Sequence, residues 1–433
     1  MEIWALVMFA VLFVLLLAGF PVAFTLGAVA LGFGSVFLGL DFFNLLPLRI
    51  WGIMTNFTLL AVPLFVFMGV VLEKSGIAEE LLETMGQLFG RIRGGLAISV
   101  VIVGALLAAT TGVVGASVVT MAVIALPVML KNGYAPSLAG GTIATSGTLG
   151  QIIPPSIILI LLGDVIGVPV GQLFIGAAIP GLMLVIAYIA YIAFIAWKNP
   201  ELAPAISIAP ENEGQLASKV FRSLLPPLAL IIAVLGSIFF GIASPTESAA
   251  VGALGAILLA ALHKKLNLDN INKAMQQTTR LTSMVFLILI GATAFGLVFV
   301  GMGGDNLIFD IFSGLPGGKW GFLILSMVLI FVLGFFLDFI EICFIVVPII
   351  APIAIHMGLD PLWFALLIAL NLQTSFLTPP FGFSLFYLKA SAPNLKLQDI
   401  YRGVVPFIVI QVIVLALIIS FPSLTLWLPG LME

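Results

Sequence analysis

The chain is 433 residues long, 62% hydrophobic and only 8% charged, with a mean hydropathy of +1.30. That composition excludes a soluble globular domain and points to an all-α polytopic membrane protein. The formal net charge of −3 decides little, whereas the single cysteine, Cys343, excludes an internal disulfide, and no Cys/His spacing suggests a metal or haem.

A helix needs about 20 apolar residues to cross the hydrocarbon core. Taken in chain order, the sequence predicts crossings at 3–19, 21–40, 58–73, 138–163, 171–197, 223–241, 246–262, 281–302, 362–390 and 403–428. Glu2 in place of a basic n-region, and Gly19-Phe20-Pro21 in place of small residues, argue against a cleaved signal. Segment 76–96 sets Glu79, Glu80 and Glu83 against Leu81, Leu82, Met85, Leu88 and Phe89, an amphipathic arm expected on the inner surface. Stretches 97–130 and 323–356 are too long for one crossing and too short for two. The first is interrupted by Thr110-Thr111-Gly112 and Gly115-Ala116-Ser117, the second by Asp338 and Glu341. Two arms of about 15 residues meeting at a polar tip read as re-entrant hairpins. Segment 198–222, with Pro200, Pro204 and Pro210, reads as a linker between halves.

Charge placement orients the chain. With the N-terminus outside and both hairpins re-entrant, 14 of the 16 basic residues fall inside, and only Arg49 and Lys319 fall outside. Both termini are then outside. Five crossings per half is an odd number, so the halves form an inverted repeat. Adding 225 carries Pro127, Pro136, Pro154 and Pro155 onto Pro352, Pro361, Pro379 and Pro380, and Gly133 onto Gly358. Each copy thus holds one broken helix with a Pro-Pro pair at mid-membrane, ATSGTLGQIIPPS at 144–156 and NLQTSFLTPPFGFS at 371–384. Two matched breaks in two halves point to the binding site of a secondary transporter.

Backbone groups freed inside a bilayer must find partners, so an unwound helix is tolerated only where it lines a cavity or coordinates something. Pro154 and Pro155 remove two donors, Gly147 and Gly150 allow sharp turning, and Ser146, Thr148 and Ser156 add hydroxyls. Asn371, Gln373, Thr374, Ser375 and Thr378 do likewise in the second copy. Ser146, Thr148, Asn371 and Gln373 are the substrate candidates. Neutral oxygens at such a break suit Na⁺, and half-helix N-termini suit an anionic substrate. A proline kink healed by its neighbours is the competing reading, and the pairing of the breaks argues against it. At the hairpin tips, TTGVVGAS (110–117) suits hydroxyl coordination or plain helix packing. Asp338 and Glu341, three apart at membrane depth, suit a cation ligand, a proton site or a contact with a moving scaffold, against the plainer reading of a hydrogen-bonded cap on the second arm. Asp164, Asp305, Asp310 and Asp360 fall in outer loops and are expected to be solvated. Glu247, after Pro245, is either a helix N-terminal charge or a buried contact. Only His263 and His356 exist, both at membrane ends, and no paired intramembrane Asp motif appears, so an enzyme is not expected. No nucleic acid is expected as a partner.

The ordered set GFPVAFTLG (19–27), VPLFVFMG (62–69), TTGVVGASV (110–118), GTLGQIIPPS (147–156), LFIGAAIPG (173–181), SPTESAAVGA (244–253) and FLDFIEICFIVVPIIAPI (336–353) resembles the large membrane subunit of TRAP (tripartite ATP-independent periplasmic) transporters. The resemblance implies an elevator-type transporter of the bacterial inner membrane coupled to Na⁺. It further implies a separate small four-helix membrane subunit and a periplasmic substrate-binding protein that delivers a small organic acid. Under it, 1–96 and 223–322 are scaffold and arm, and 97–197 and 323–433 are halves of a mobile transport domain. One Na⁺ site would join the first tip (Thr110, Gly112, Gly115, Ser117) to Gly147, Gly150, Ile153 and Pro155. The other would join the second tip (Asp338) to Thr374, Ser375, Thr378 and Pro380. Gly150 becomes Ser375 across the repeat, so the sites need not be equivalent, and no Arg or Lys lies at the centre to pair a carboxylate. A stand-alone Na⁺- or H⁺-coupled anion symporter is the alternative.

Overall fold

A computed structural model describes every residue except Val113, 207–212, Leu315 and Glu433, together with side chains 108–111, 213–218 and Ser313. The described residues are helical and contain no strand. The first half runs α1 (Glu2–Leu17), α2 (Val22–Phe37), α3 (Leu46–Met54), α4 (Ala61–Lys74), α5 (Ile77–Phe89), α6 (Gly95–Thr111), α7 (Val114–Lys131), α8 (Pro136–Thr148), α9 (Ile157–Ile166) and α10 (Val170–Lys198). The second runs α11 (Glu213–Phe239), α12 (Pro245–Leu262), α13 (Leu268–Gly301), α14 (Gly304–Ser313), α15 (Gly318–Leu333), α16 (Phe339–Glu341), α17 (Val347–His356), α18 (Pro361–Leu377), α19 (Phe383–Ser391), α20 (Leu397–Ser420) and α21 (Ser423–Leu426).

The offset of 225 holds far beyond the prolines that disclosed it. It carries α7 onto 339–356, where α16, a π-turn (Ile342–Val346) and α17 follow one another, and it carries the start of α8 onto the start of α18. Gly133 and Gly358 turn with φ of 80° and 78°. The peptide bonds Pro154–Pro155 and Pro379–Pro380 are both cis. Even Lys264, the one described non-glycine residue with positive φ, falls on Gly39, whose φ is 85°. The architecture is therefore an inverted repeat with a re-entrant hairpin (α6–α7; α15 to α17) and a broken helix (α8–α9; α18–α19) in each copy.

Among the described residues seven helices, or eight counting a pair bent by 55° (Leu40–Met54 with Thr58–Lys74), are long and apolar enough to cross a membrane. Length alone misjudges this chain in both directions. It admits Val114–Lys131 and Phe339–His356, the hairpins' second arms, and misses the broken helices, because neither half of either spans alone. Two sequence expectations need correction. The predicted span 281–302 belongs to the 34-residue α13, about 51 Å long. Asn267 caps it, its side chain accepting from the Asn270 N–H, and no glycine or proline before Gly291 stops it. The linker 198–222 is also partly helical, with a 3₁₀ turn at Pro200–Leu202 and α11 beginning at Glu213; its Pro210 lies outside the described residues. The amphipathic arm forms α5 and buries Ile77, Leu81, Leu82 and Met85, while Leu88 stays exposed. Glu247 is a helix N-terminal charge. It completes a capping box with Ser244, whose backbone N–H and hydroxyl both donate to it.

The broken helices occupy the centre. All residues of α18 from Leu362 to Leu377 are buried, as are Leu138–Thr148 of α8. Small residues let neighbours close on them. A Cβ on Gly104 would lie 2.6 Å from Ser146 Cβ, and one on Gly403 would run into the Ser137 carbonyl. Gly403→Ala should therefore overpack the α8–α20 contact and destabilise by about 1–3 kcal/mol. Thermal unfolding in detergent checks this, with Gly236→Ala, which meets nothing within 4 Å, unchanged or slightly stabilised.

Candidate functional site

At the first break α8 ends at Thr148, a 3₁₀ turn covers Leu149–Gln151, and α9 restarts after Ser156. The prolines withhold donors, and the chain between them leaves acceptors. The carbonyls of Ile153 and Pro155 accept no backbone hydrogen bond among the described residues. Gly147 packs on Val118 of hairpin 1, and Gly150 is buried within the turn. At the second break the corresponding acceptors are already in use. The Ser375 carbonyl accepts from the Thr378 N–H (3.1 Å), the Thr378 carbonyl from the Gly382 N–H (3.0 Å), and the Pro380 carbonyl from the Tyr401 hydroxyl (3.0 Å). Each keeps one lone pair.

The tip of hairpin 1 touches both broken helices. Gly112 turns with φ +60°, and a Cβ there would lie 2.8 Å from Ile157 at the start of α9. Gly115 backs onto the Tyr387 ring of α19. Ser117 is buried, and the Thr110 side chain lies outside the described residues. At the tip of hairpin 2, Asp338 Oδ1 accepts from the Phe339 N–H (2.7 Å) and Glu341 Oε2 from the Asp338 N–H (3.1 Å). This capping box starts the second arm, so the local geometry engages both carboxylates as caps. The π-turn that follows is a feature frequent at functional sites.

The substrate candidates separate by hydrogen bonding. Ser146 and Thr148 donate to the Ile143 (3.0 Å) and Thr145 (2.8 Å) carbonyls of their own helix. Thr374 and Thr378 likewise donate to Leu370 (2.9 Å) and Thr374 (2.7 Å). Asn371 Nδ2 donates to the Met327 carbonyl of α15 (2.7 Å), clamping hairpin 2 to α18. Gln373 differs, because it is fully buried with neither amide atom partnered among the described residues. Ser375 Oγ, Thr142 Oγ1 and Thr145 Oγ1 are in the same position. So is Gln151, in the turn of the first break, which sequence reasoning passed over. The available signal was a primary amide beside a Pro-Pro pair in an apolar stretch. Gln411 of α20 is a further buried amide, set beside the buried Tyr188 hydroxyl of α10. Among the described residues no three His, Cys, Asp or Glu side chains group together.

Asp164 is not solvated as expected. It is half-buried and accepts a hydrogen bond from Asn56 Nδ2. A cavity of about 920 Å³ lies at that end of the molecule between α3, α13 and α17, and not at the breaks.

An inverted repeat with paired broken helices and hairpins defines a secondary-transporter fold. Residues 9–424 match the family described as the tripartite ATP-independent periplasmic transporter, DctM component, and the chain belongs to that family. It is similar to the sialic acid TRAP transporter large permease protein SiaM of Vibrio cholerae, 32% identical over 418 residues covering 96% of each chain. It is also similar to the C4-dicarboxylate TRAP transporter large permease protein DctM of Rhodobacter capsulatus, 28% identical and covering 99% of each. Its fold is similar to that of the Alcanivorax borkumensis YdaH transporter, with a TM-score of 0.63 at 14% identity over 96% of this chain and 99% of that one.

A buried amide with no partner costs about 1–3 kcal/mol. The volume-conserving Gln373→Met should therefore leave the ligand-free unfolding temperature unchanged or higher while lowering transport. A ligand-free protein destabilised by more than about 1 kcal/mol would instead assign Gln373 a structural bond.

Proposed function

We propose that this chain is the membrane-embedded subunit that carries a small organic acid across the bacterial inner membrane, coupled to Na⁺, by elevator-like movement of the hairpins and broken helices against a scaffold. The observation that carries this reading is the pair of breaks at one offset. The first has open carbonyls at Ile153 and Pro155, and the partnerless amides Gln151 and Gln373 lie at the breaks. Na⁺ would be held chiefly by carbonyls, with hairpin tip 1 beside the first break and hairpin tip 2 beside the second. The acid's carboxylate would rely on amide and hydroxyl donors, half-helix ends and bound Na⁺. The relatives' substrates, sialic acid and C4-dicarboxylates, support a carboxylate class. The family's tripartite description supports a small membrane subunit and a periplasmic substrate-binding protein as partners.

Uptake of such acids into proteoliposomes, with candidate partners and an inward Na⁺ gradient, tests the proposal. Thr378→Val removes one hydroxyl ligand, and at roughly 1–3 kcal/mol half-saturating Na⁺ should rise about 5- to 150-fold. Gly150→Val should abolish uptake with the protein still inserted. Robust uptake by this chain alone would favour the stand-alone symporter, and uptake that follows a proton gradient without Na⁺ would move coupling to Asp338 and Glu341. For orientation, in a Cys343→Ala background an impermeant thiol reagent should label Met357→Cys from outside and Asn132→Cys only from inside; the reverse pattern would overturn N-out, C-out.

A further inference from the structure

Two grooves flank the hairpins' second arms, and the repeat relates them. One, about 920 Å³, is lined by Phe344, Ile345, Pro348 and Ile349. The other, about 570 Å³, is lined by the residues 225 earlier, Val119, Thr120, Val123 and Ile124. The proposed topology puts the first outside and the second inside. The larger one carries charges of both signs, from Arg49, Asp164 and Asp305, so it selects no ion by field alone.

One bond in that cavity has no counterpart across the repeat. Asn56, beside α4 of the scaffold, donates from Nδ2 to Asp164 of α9, the second half of the first broken helix. Its scaffold end is held firmly. Asn56 Oδ1 accepts from the Thr58 N–H (2.9 Å), and the next carbonyl, Phe57, accepts from Thr246 Oγ1 of α12 (2.8 Å). The positions 225 later are Leu281 and Lys389. Leu281 offers no polar atom, and Lys389 Nζ turns back to the Pro393 (2.7 Å) and Leu395 (2.8 Å) carbonyls of its own loop.

We propose that the Asn56–Asp164 bond is a one-sided latch that ties the transport unit to the scaffold at the outer cavity. Exchange of roles between inverted repeats makes the two end arrangements near-equivalent, so a contact made on one side only biases which is populated. Loss of a hydrogen bond to a charged group shifts such an equilibrium by about 10- to 150-fold. The inference rests on the division into scaffold and transport unit proposed above.

The test exchanges the partners. Asn56→Asp keeps the acceptor for Thr58 but sets two carboxylates face to face, and Asn56→Ala removes the donor without repulsion. The double variant N56D/D164N restores an amide–carboxylate bond with its direction reversed. In Cys343→Ala proteoliposomes, a permeant maleimide reports on Ile349→Cys in the outer cavity and Ile124→Cys, its repeat counterpart, in the inner groove. The ratio of their labelling rates should change at least about fivefold in both Asn56→Asp and Asn56→Ala, in the same direction. It should return to within about twofold of the parent in N56D/D164N. An unchanged ratio in the single variants, or a double variant that behaves like N56D, overturns the latch. Labelling needs no Na⁺, substrate or partner, so this outcome is separate from that of the uptake experiment.

Discussion

Inside a bilayer no water pairs a freed backbone group, so a helix that stops at mid-membrane must be enclosed by protein or occupied by a ligand. This chain stops two helices there, each at a Pro-Pro pair, and the architecture follows from that constraint. Both breaks are wrapped by hairpins whose arms reach them through small residues, Gly104 and Gly112 on one side and Gly334 on the other. Enclosure is complete enough that α18 shows no exposed residue between Leu362 and Leu377.

Enclosure without full satisfaction is the functional signal. The second break has internal donors for its Ser375, Thr378 and Pro380 carbonyls, whereas the first leaves Ile153 and Pro155 open. Side chains divide the same way. Ser146, Thr148 and Thr374 spend their hydroxyl protons on helix carbonyls, and Asn371 spends its amide on hairpin 2. Gln151 and Gln373 spend theirs on nothing within the described chain. Buried amides in that condition destabilise a protein that holds no ligand, which is how a binding site differs energetically from a packed core.

Much of this was legible in the sequence because prolines and glycines act locally. The break at 154–155, its copy at 379–380 and the turns at Gly133 and Gly358 are backbone statements, readable without knowing what lies nearby. The family followed from motifs along nearly the whole chain. What stayed hidden depends on tertiary contact. Asp164 looks like an ordinary loop acid until Asn56, 108 positions away, is brought beside it. The Asn371 clamp depends on a carbonyl 44 positions earlier. The long α13 escaped notice because its first turns are polar, and polarity at a membrane edge reads as a loop even where Asn267 caps a helix. Asp338 and Glu341 were legible as unusual, and the structure supplied their local partners.

Direct binding of Na⁺ by the purified chain tests the central claim, that the open carbonyls of the first break form a cation site. Thermal unfolding in detergent should be measured in NaCl and in KCl at equal ionic strength, for the parent and for Gly150→Val. An ion that binds only the folded state at 100 times its dissociation constant stabilises by about 2.7 kcal/mol. The parent should therefore unfold at a higher temperature in NaCl than in KCl, and Gly150→Val should lose that difference. Equal unfolding temperatures for the parent in the two salts, at Na⁺ concentrations up to those of the cell exterior, would contradict the account.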